Sequence, residues 1–383
     1  MKKVLKVFLY SVFIAIVLFN LWVILSGKTF FYTALRYQLP GIYDYSIFEN
    51  RAVQASNGKA LPLSKEYNAF KLSDSTQKYL DSLGTIAVVI IKNDSLLFES
   101  YAKEHSPEKI SGSFSMAKSV VAAAIGTAIK QGFIKNVDQP VADFLSDFKT
   151  TDKRHITIRH LLMMSSGLNW DEAYASPFSV TTEAYYGDDL PAIIKPLAVK
   201  EAPGVFTDYK SGDTQILSFV LEKATGQSMS AWISKSLWIP MQAENQALWS
   251  LDRKDGHEKA YCCLNATARD FARIGMLYSH SGNWNGQQLI DTSFVRFCVE
   301  PNGLPDHETN APVDYYGGHW WIMSSLFQEP VFYARGILGQ YVIVVPQRNL
   351  VIVRLGHKRG TKIGMHYKES VDLTLEAIRM AGK

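Results

Sequence analysis

Ser115 and Lys118 stand three residues apart in Ser115-Met-Ala-Lys118, at the head of a run that continues Ser-Val-Val-Ala-Ala-Ala-Ile-Gly-Thr-Ala-Ile to Lys130. From Met116 to Ile129 the apolar residues fall almost all round a helical wheel, which predicts a helix buried on most sides over Ser115 to Lys130. Residues three apart on a helix share a face, so the hydroxyl and the amine can meet. A serine hydroxyl is inert near neutral pH until something takes its proton. A lysine can take it only where burial or nearby positive charge depresses its own pKa. Both pressures are expected here: the apolar run desolvates the ammonium, and the positive end of the helix dipole lies in the same turn. Alone, the pattern recurs by chance in long chains, and a surface lysine with its amine in water is the other reading of Lys118.

A second candidate lies downstream. Tyr209 sits in the polar loop Pro203-Gly-Val-Phe-Thr-Asp-Tyr-Lys-Ser-Gly-Asp213, just ahead of an amphipathic helix, and is either a phenol facing the site or a turn aromatic. Tyr186, in Tyr185-Tyr186-Gly187, is a candidate for the wall of a cleft or for simple packing. His319, in Tyr315-Tyr-Gly-Gly-His319-Trp-Trp321, reads as a packed or cleft-wall residue. No G-x-S-x-G elbow, H-E-x-x-H pair, P-loop or Rossmann glycine series is present, and the nine histidines miss metal-ligand spacings. No metal and no cofactor are expected.

The elements that must position these residues are legible as patterns. Thr85 to Ile91 and Leu96 to Tyr101 are β-rich runs joined by Lys92-Asn-Asp-Ser95, and Gln340 to Val345 and Leu350 to Leu355 repeat this around Pro346-Gln-Arg-Asn349. Helical segments fall between them at Ile158 to Met164, Asp213 to Thr225 and Ala266 to Ser279, and a helical tail runs from Val371 to Met380. The fold class expected is α+β: one antiparallel sheet built from both ends of the domain, with helices on its faces and a helical insertion between.

Composition sets the class of protein. The chain has 383 residues, 47% of them apolar, and 40 basic against 36 acidic side chains give a net charge of +4 with no basic block. That suits a globular enzyme and argues against nucleic acid as a partner. Cys262, Cys263 and Cys298 are an odd set with two adjacent, a poor disulfide framework, and are expected as small buried apolar side chains.

Val7 to Leu25 is apolar apart from Ser11 and Asn20 and is close to the length needed to cross a bilayer. Lys2, Lys3 and Lys6 precede it, so the positive-inside bias leaves the N-terminus in the cytoplasm and exports the rest. The run is longer than a signal-peptide core and no small-residue cleavage site follows, so an uncleaved anchor over residues 1–27 is expected. Residues 28–73 are rich in Tyr and Phe and broken by Pro40-Gly41 and Pro62, as suits an irregular connector packed on a domain. Residues 74–383 are expected to form that domain, outside the cytoplasm, in the periplasm of a bacterium with its anchor in the inner membrane.

Taken together, these segments resemble the serine β-lactamase and penicillin-recognising family, in particular its class C and esterase-like branch with the 6-aminohexanoate-dimer hydrolases. Ser115-Met-Ala-Lys118 is similar to the family's S-x-x-K and Tyr209-Lys-Ser211 to its Y-x-N or Y-x-S motif. Ile156 to Gly167, Asn265 to Arg273 and Gly336 to Tyr341 look like family segments in the right order, and the resemblance covers about residues 74 to 381.

The resemblance implies a β-lactamase/transpeptidase-like fold in which Ser115 attacks a carbonyl while Lys118 and Tyr209 handle its proton. It also implies an oxyanion hole made by the backbone N–H groups of Ser115 and Ile337. Ser211, Tyr186, Arg335 and Gly336 would contact substrate.

Two departures bear on substrate. Where penicillin-recognising enzymes carry K-T-G, this chain reads Ala334-Arg335-Gly336, so the lysine and hydroxyl that grip a β-lactam carboxylate are missing. Ser211 replaces the asparagine common in β-lactamases. The function expected is therefore that of a membrane-anchored serine hydrolase that cleaves ester or amide bonds of a small-molecule or short peptide, amide or ester substrate through an acyl-enzyme on Ser115, with poor turnover of penicillins. A D-Ala-directed peptidase or transpeptidase, a β-lactamase, and a non-catalytic cell-envelope peptide-binding protein are the alternatives.

Overall fold

The computed structural model describes the whole chain apart from Asn57, Thr150, Thr151, Ala175 and Lys383. The strands that frame the site are β1 (Asn50–Val53), β2 (Thr85–Lys92), β3 (Ser95–Tyr101), β4 (Ser111–Gly112), β5 (Ala247–Ser250), β6 (Leu264–Ala266), β7 (Trp321–Ile322), β8 (Phe332–Gly336), β9 (Gln340–Val345) and β10 (Leu350–Gly356). The helices packed around them are α1 (Lys2–Ser26), α2 (Phe30–Tyr37), α3 (Met116–Lys130), α4 (Val180–Tyr186), α5 (Ser211–Thr225), α6 (Ala268–Ser279) and α7 (Lys368–Ala381).

The main sheet is antiparallel throughout, in the order β3-β2-β10-β9-β8-β7. Its strands come from both ends of the domain, as the two hairpin patterns imply. The period-2 alternation of a pleated strand divides the core in two. Val89, Ile91, Val342, Val344, Val351 and Val353 face one core with α3 and α6, and Val88, Ile90, Ile343, Val345 and Ile352 face the other with α7.

α3 threads the first core, where every residue from Met116 to Ala128 is buried. A smaller antiparallel sheet, β1-β5-β6-β4, lies beside it. It was not visible as a pattern because its strands are two to four residues long.

Two expectations need correction. The segment 28–73 is packed, but it is not irregular throughout: it holds α2, an eight-residue helix, and β1, which pairs with β5 from Asn50 opposite Ser250 to Val53 opposite Ala247. Its aromatics make it adhere; Phe31 stacks on Phe30 and meets Phe178. Cys262 and Cys263 are joined by a disulfide rather than held as separate thiols, while Cys298 is a buried thiol. Cys263 adopts a left-handed backbone (φ 41°), a local turn that adjacency in sequence does not reveal.

α1 spans 25 residues, about 37 Å of helix at 1.5 Å per residue, with a mean hydropathy of 2.5 over its most apolar window. Only Val23 of it is buried, so its apolar surface faces outward nearly all round. By length and composition it can cross a bilayer.

Candidate active site

α3 begins at an unusual bend. Phe114 takes a left-handed backbone (φ 45°) and Ser115 is the N-cap of the helix, yet its hydroxyl makes no capping hydrogen bond. A serine at this position usually spends its oxygen on the first-turn N–H groups. Here the hydroxyl faces Lys118 instead, with the Lys118 Nζ 3.0 Å from the Ser115 Oγ.

Lys118 is only 1% exposed and so is not a snorkelling surface lysine. Its Nζ has two further neighbours, the Ser211 Oγ at 3.1 Å and the Tyr261 carbonyl at 2.9 Å. A carbonyl can only accept. The Ser211 hydroxyl donates its own proton to the Glu172 Oε1 at 2.6 Å, so towards Lys118 it too acts as an acceptor. Two N–H bonds of the amine are thereby assigned, and the tetrahedral nitrogen aims a remaining position at the Ser115 Oγ. In a neutral amine that position is the lone pair.

Tyr209 stands on the other side of the amine, its ring centroid 5.0 Å from the Lys118 Nζ, held by edge-on contact with Tyr316 and by Trp321. It lines the same cleft as Ser115. Ile337 opens the turn after β8, and β8 lies against the backbone of the nucleophile: a Cβ built on Gly336 would stand 2.2 Å from the Ser113 carbonyl oxygen. Only glycine permits that approach. Arg354, fully buried, fixes the turn by donating to the carbonyls of Gly339 at 2.7 Å, Lys358 at 3.0 Å and Leu338 at 3.2 Å.

Two spaces meet at Ser115. A cavity of about 340 Å³ is lined by apolar side chains including Phe31, Ala34, Phe114 and Leu338, with Tyr186, Ser211 and Cys262 also in its wall. A more polar cleft of about 420 Å³ is lined by Glu172, Tyr209, Trp321, Arg335, Gly336 and Lys362 among others. Ser115, Tyr174 and Ile337 border both.

All the candidate residues thus converge, though not all as expected. The Ser211 hydroxyl is committed to Lys118 and Glu172, and the Tyr186 hydroxyl donates to the Gln38 carbonyl at 3.1 Å. Arg335 lies flat over Trp321 with its guanidinium carbon 3.2 Å from the ring centroid, and donates to the Met365 carbonyl at 2.7 Å.

His319 is packed, bonded through Nδ1 to the Leu162 carbonyl at 2.8 Å and through Nε2 to the Thr214 Oγ1 at 2.9 Å. Burial, with Lys118 nearby, pushes its pKa down to about 3, so it stays neutral. Among the described residues no group of three His, Cys, Asp or Glu converges to hold a metal. Glu172 was missed. It accepts from the Ser211 N–H at 2.7 Å as well as its hydroxyl, and from the Trp170 indole at 2.8 Å. No spacing in the sequence links position 172 to position 211.

The Beta-lactamase family profile matches residues 73–373. The chain belongs to the Beta-lactamase family. Within this family it is 25% identical, over 304 residues, to the 6-aminohexanoate-dimer hydrolase of Paenarthrobacter ureafaciens, covering 75% of this chain and 76% of that one. Among solved structures it is similar to a Bacillus anthracis protein provisionally assigned as a 6-aminohexanoate-dimer hydrolase (TM-score 0.71, 20% identity, 89% of this chain and 92% of that one). It is also similar to a family VIII carboxylesterase (TM-score 0.63, 14% identity, 81% and 99%). These likenesses establish the β-lactamase/transpeptidase-like fold, and membership of the Beta-lactamase family makes the chain a serine hydrolase of the β-lactamase type.

Proposed function

We propose that the chain is a membrane-anchored serine hydrolase that cleaves ester or amide bonds through an acyl-enzyme on Ser115. The observation that carries this reading is the geometry of Lys118, whose other two hydrogen bonds go to acceptors and whose remaining position faces the Ser115 Oγ at 3.0 Å. Ser115 attacks the carbonyl carbon and its proton passes to Lys118. The oxyanion forms between the backbone N–H groups of Ser115 and Ile337. Collapse breaks the bond to the leaving group, which receives a proton through Tyr209 from the cleft side. Water, activated by the same pair, then releases the acid.

Esters and linear amides suit the site better than penicillins, since Ala334-Arg335-Gly336 lacks the K-T-G lysine and hydroxyl and Arg335 is held flat on Trp321. The 6-aminohexanoate-dimer hydrolase and carboxylesterase relatives support the same preference.

In this reading residues 1–27 anchor the chain, 28–73 tie the anchor to the domain, and 74–383 act outside the cytoplasm. The exposed apolar surface of α1 supports the anchor, and the disulfide of Cys262 and Cys263 supports an oxidising compartment.

The test is labelling with a fluorophosphonate probe, followed by mass spectrometry. The label is expected on Ser115, together with hydrolysis of p-nitrophenyl acetate, and both are expected to vanish in Ser115→Ala. A wild-type protein that neither labels nor hydrolyses would refute the reading.

A further inference from the structure

Ser115 borders two spaces of different polarity, and Tyr209 lines only the more polar one. If Ser115 is the nucleophile, as proposed, the group that Tyr209 protonates leaves into the polar cleft. The acyl part of the substrate must then occupy the other space.

That space is apolar and far larger than an acetyl group needs; at about 340 Å³ it lies within the roughly 300 to 1,000 Å³ of sites that enclose whole ligands. Its outer wall is not part of the β-lactamase-like region. It is built by α2 and the turn after it, through Phe31, Ala34, Leu35 and Leu39. α2 follows α1 after only Gly27-Lys-Thr29 and is tied down by the ion pair of Lys28 with Glu183 at 2.7 Å. At the rim Leu35 and Leu39 are 63% and 77% exposed, next to a helix whose apolar surface faces outward. The mouth of the cavity therefore opens where the chain would meet hydrocarbon.

The polar cleft presents a different chemistry. Arg335, Arg359 and Lys362 lie along one wall, and among the described residues no carboxylate pairs with any of them. Arg335 and Arg359 rest on the rings of Trp321 and Tyr367. Of the acids in the cleft, Asp208 is paired with Lys210, Glu172 is filled by Ser211 and Trp170, and Asp306 accepts from Thr309 and Tyr315. Glu308 alone stands exposed at the rim. Arg335 stays on Trp321 and bonded to the Met365 carbonyl, so an anion here would be met by Arg359 and Lys362.

We propose that the substrate is an amphiphile, a long acyl chain in ester linkage to an anionic head group, entering chain-first from the bilayer past α2. Ser115 takes the acyl group as the ester C–O bond breaks, the head leaves as its alcohol with a proton through Tyr209, and water releases the fatty acid. Binding of the distant chain and head then positions the carbonyl.

The test uses the full chain in lipid nanodiscs. First, p-nitrophenyl decanoate is compared with the acetate. Second, release of decanoate is compared among decanoyl esters of glycerol 3-phosphate, of glyceric acid and of glycerol. The expected results are kcat/KM at least about tenfold higher for decanoate than for acetate, and at least about tenfold higher for either anionic ester than for the neutral one.

Ala34→Trp, which fills the cavity, and Leu39→Asp, which charges its exposed rim, should each lower the decanoate-to-acetate ratio toward unity. Arg359→Glu with Lys362→Glu should erase the preference for the anion, and a preference for phosphate or for carboxylate names the head. Acetate turned over as well as decanoate, with Ser115 still labelled by fluorophosphonate, overturns the proposal and leaves the serine hydrolase standing. No labelling and no hydrolysis of any ester overturns both.

Discussion

The amine of Lys118 donates to the Ser211 hydroxyl at 3.1 Å, although the two residues lie 93 positions apart. Because the Ser211 hydroxyl donates its hydrogen bond to Glu172, it accepts from Lys118, and that bond helps set the direction of the amine towards Ser115. Ser211→Ala removes one of the two acceptors that orient Lys118. Hydrogen bonds involving a charged group are worth about 1.5 to 3 kcal/mol, so kcat for a short ester should fall by about tenfold to a hundredfold. Glu172→Gln should lower kcat in the same sense with KM little changed, because its amide can reverse the Ser211 hydroxyl. Steady-state kinetics on p-nitrophenyl acetate check both, and an unchanged kcat in Ser211→Ala would remove Ser211 from the relay.

Lys118→Ala should lower acylation by at least about a hundredfold, the scale of losing a general base. Tyr209→Phe should also impair turnover. The two losses should combine far from additively, because both act on the same proton. Stopped-flow acylation of the single and double variants measures this, and near-wild-type rates in Lys118→Ala would rule out the assignment.

Gly336→Ala tests the contact between the strand and the nucleophile turn. The added Cβ would meet the Ser113 carbonyl at 2.2 Å, so β8 must move away from Ser115. Since the Ile337 N–H moves with it, kcat should drop by about a hundredfold or more, the scale of losing one oxyanion donor. Circular dichroism separates this from global unfolding.

Asp213 should make stability fall as pH rises. Burial pushes its pKa up to about 7 from 3.8, against the lowering effects of Lys210 and the Ser166 hydroxyl and with Asp208 raising it further. Between these values the folded state holds a proton that the unfolded state has lost, so this contribution is full below pH 4 and lost as pH passes 7. Asp213→Asn lacks the titration. The melting temperature of the variant minus that of wild type should therefore rise by about 5 °C or more from pH 4 to pH 8. A difference independent of pH would show that Asp213 is ionised in the fold throughout.

Nitrocefin and penicillin should be turned over with a far lower kcat/KM than p-nitrophenyl acetate. Each charge-assisted bond that the missing K-T-G would have supplied is worth about tenfold or more. Faster turnover of penicillin than of ester would show that Arg335 leaves Trp321 to grip the carboxylate.

The sequence by itself determined whatever depends on local geometry. Three residues along a helix place Ser115 and Lys118 on one face whatever surrounds them, and the near-unbroken apolar runs from Thr85 to Ile91 and Leu350 to Leu355 suit strands apolar on both faces. The motif order was likewise enough to point to the family. Only the tertiary structure decided what meets that face. Ser211 and Tyr261 reach Lys118, and Glu172 reaches Ser211, from separate elements, and a spacing of tens of residues carries no geometric constraint. The same holds for α2: its aromatics showed that the segment would pack, but the wall it forms beside Ser115 depends on where Lys28 finds Glu183. Helical and strand periods are set by the backbone of each residue and its near neighbours, whereas the lining of a cavity is set by which distant surfaces pack together.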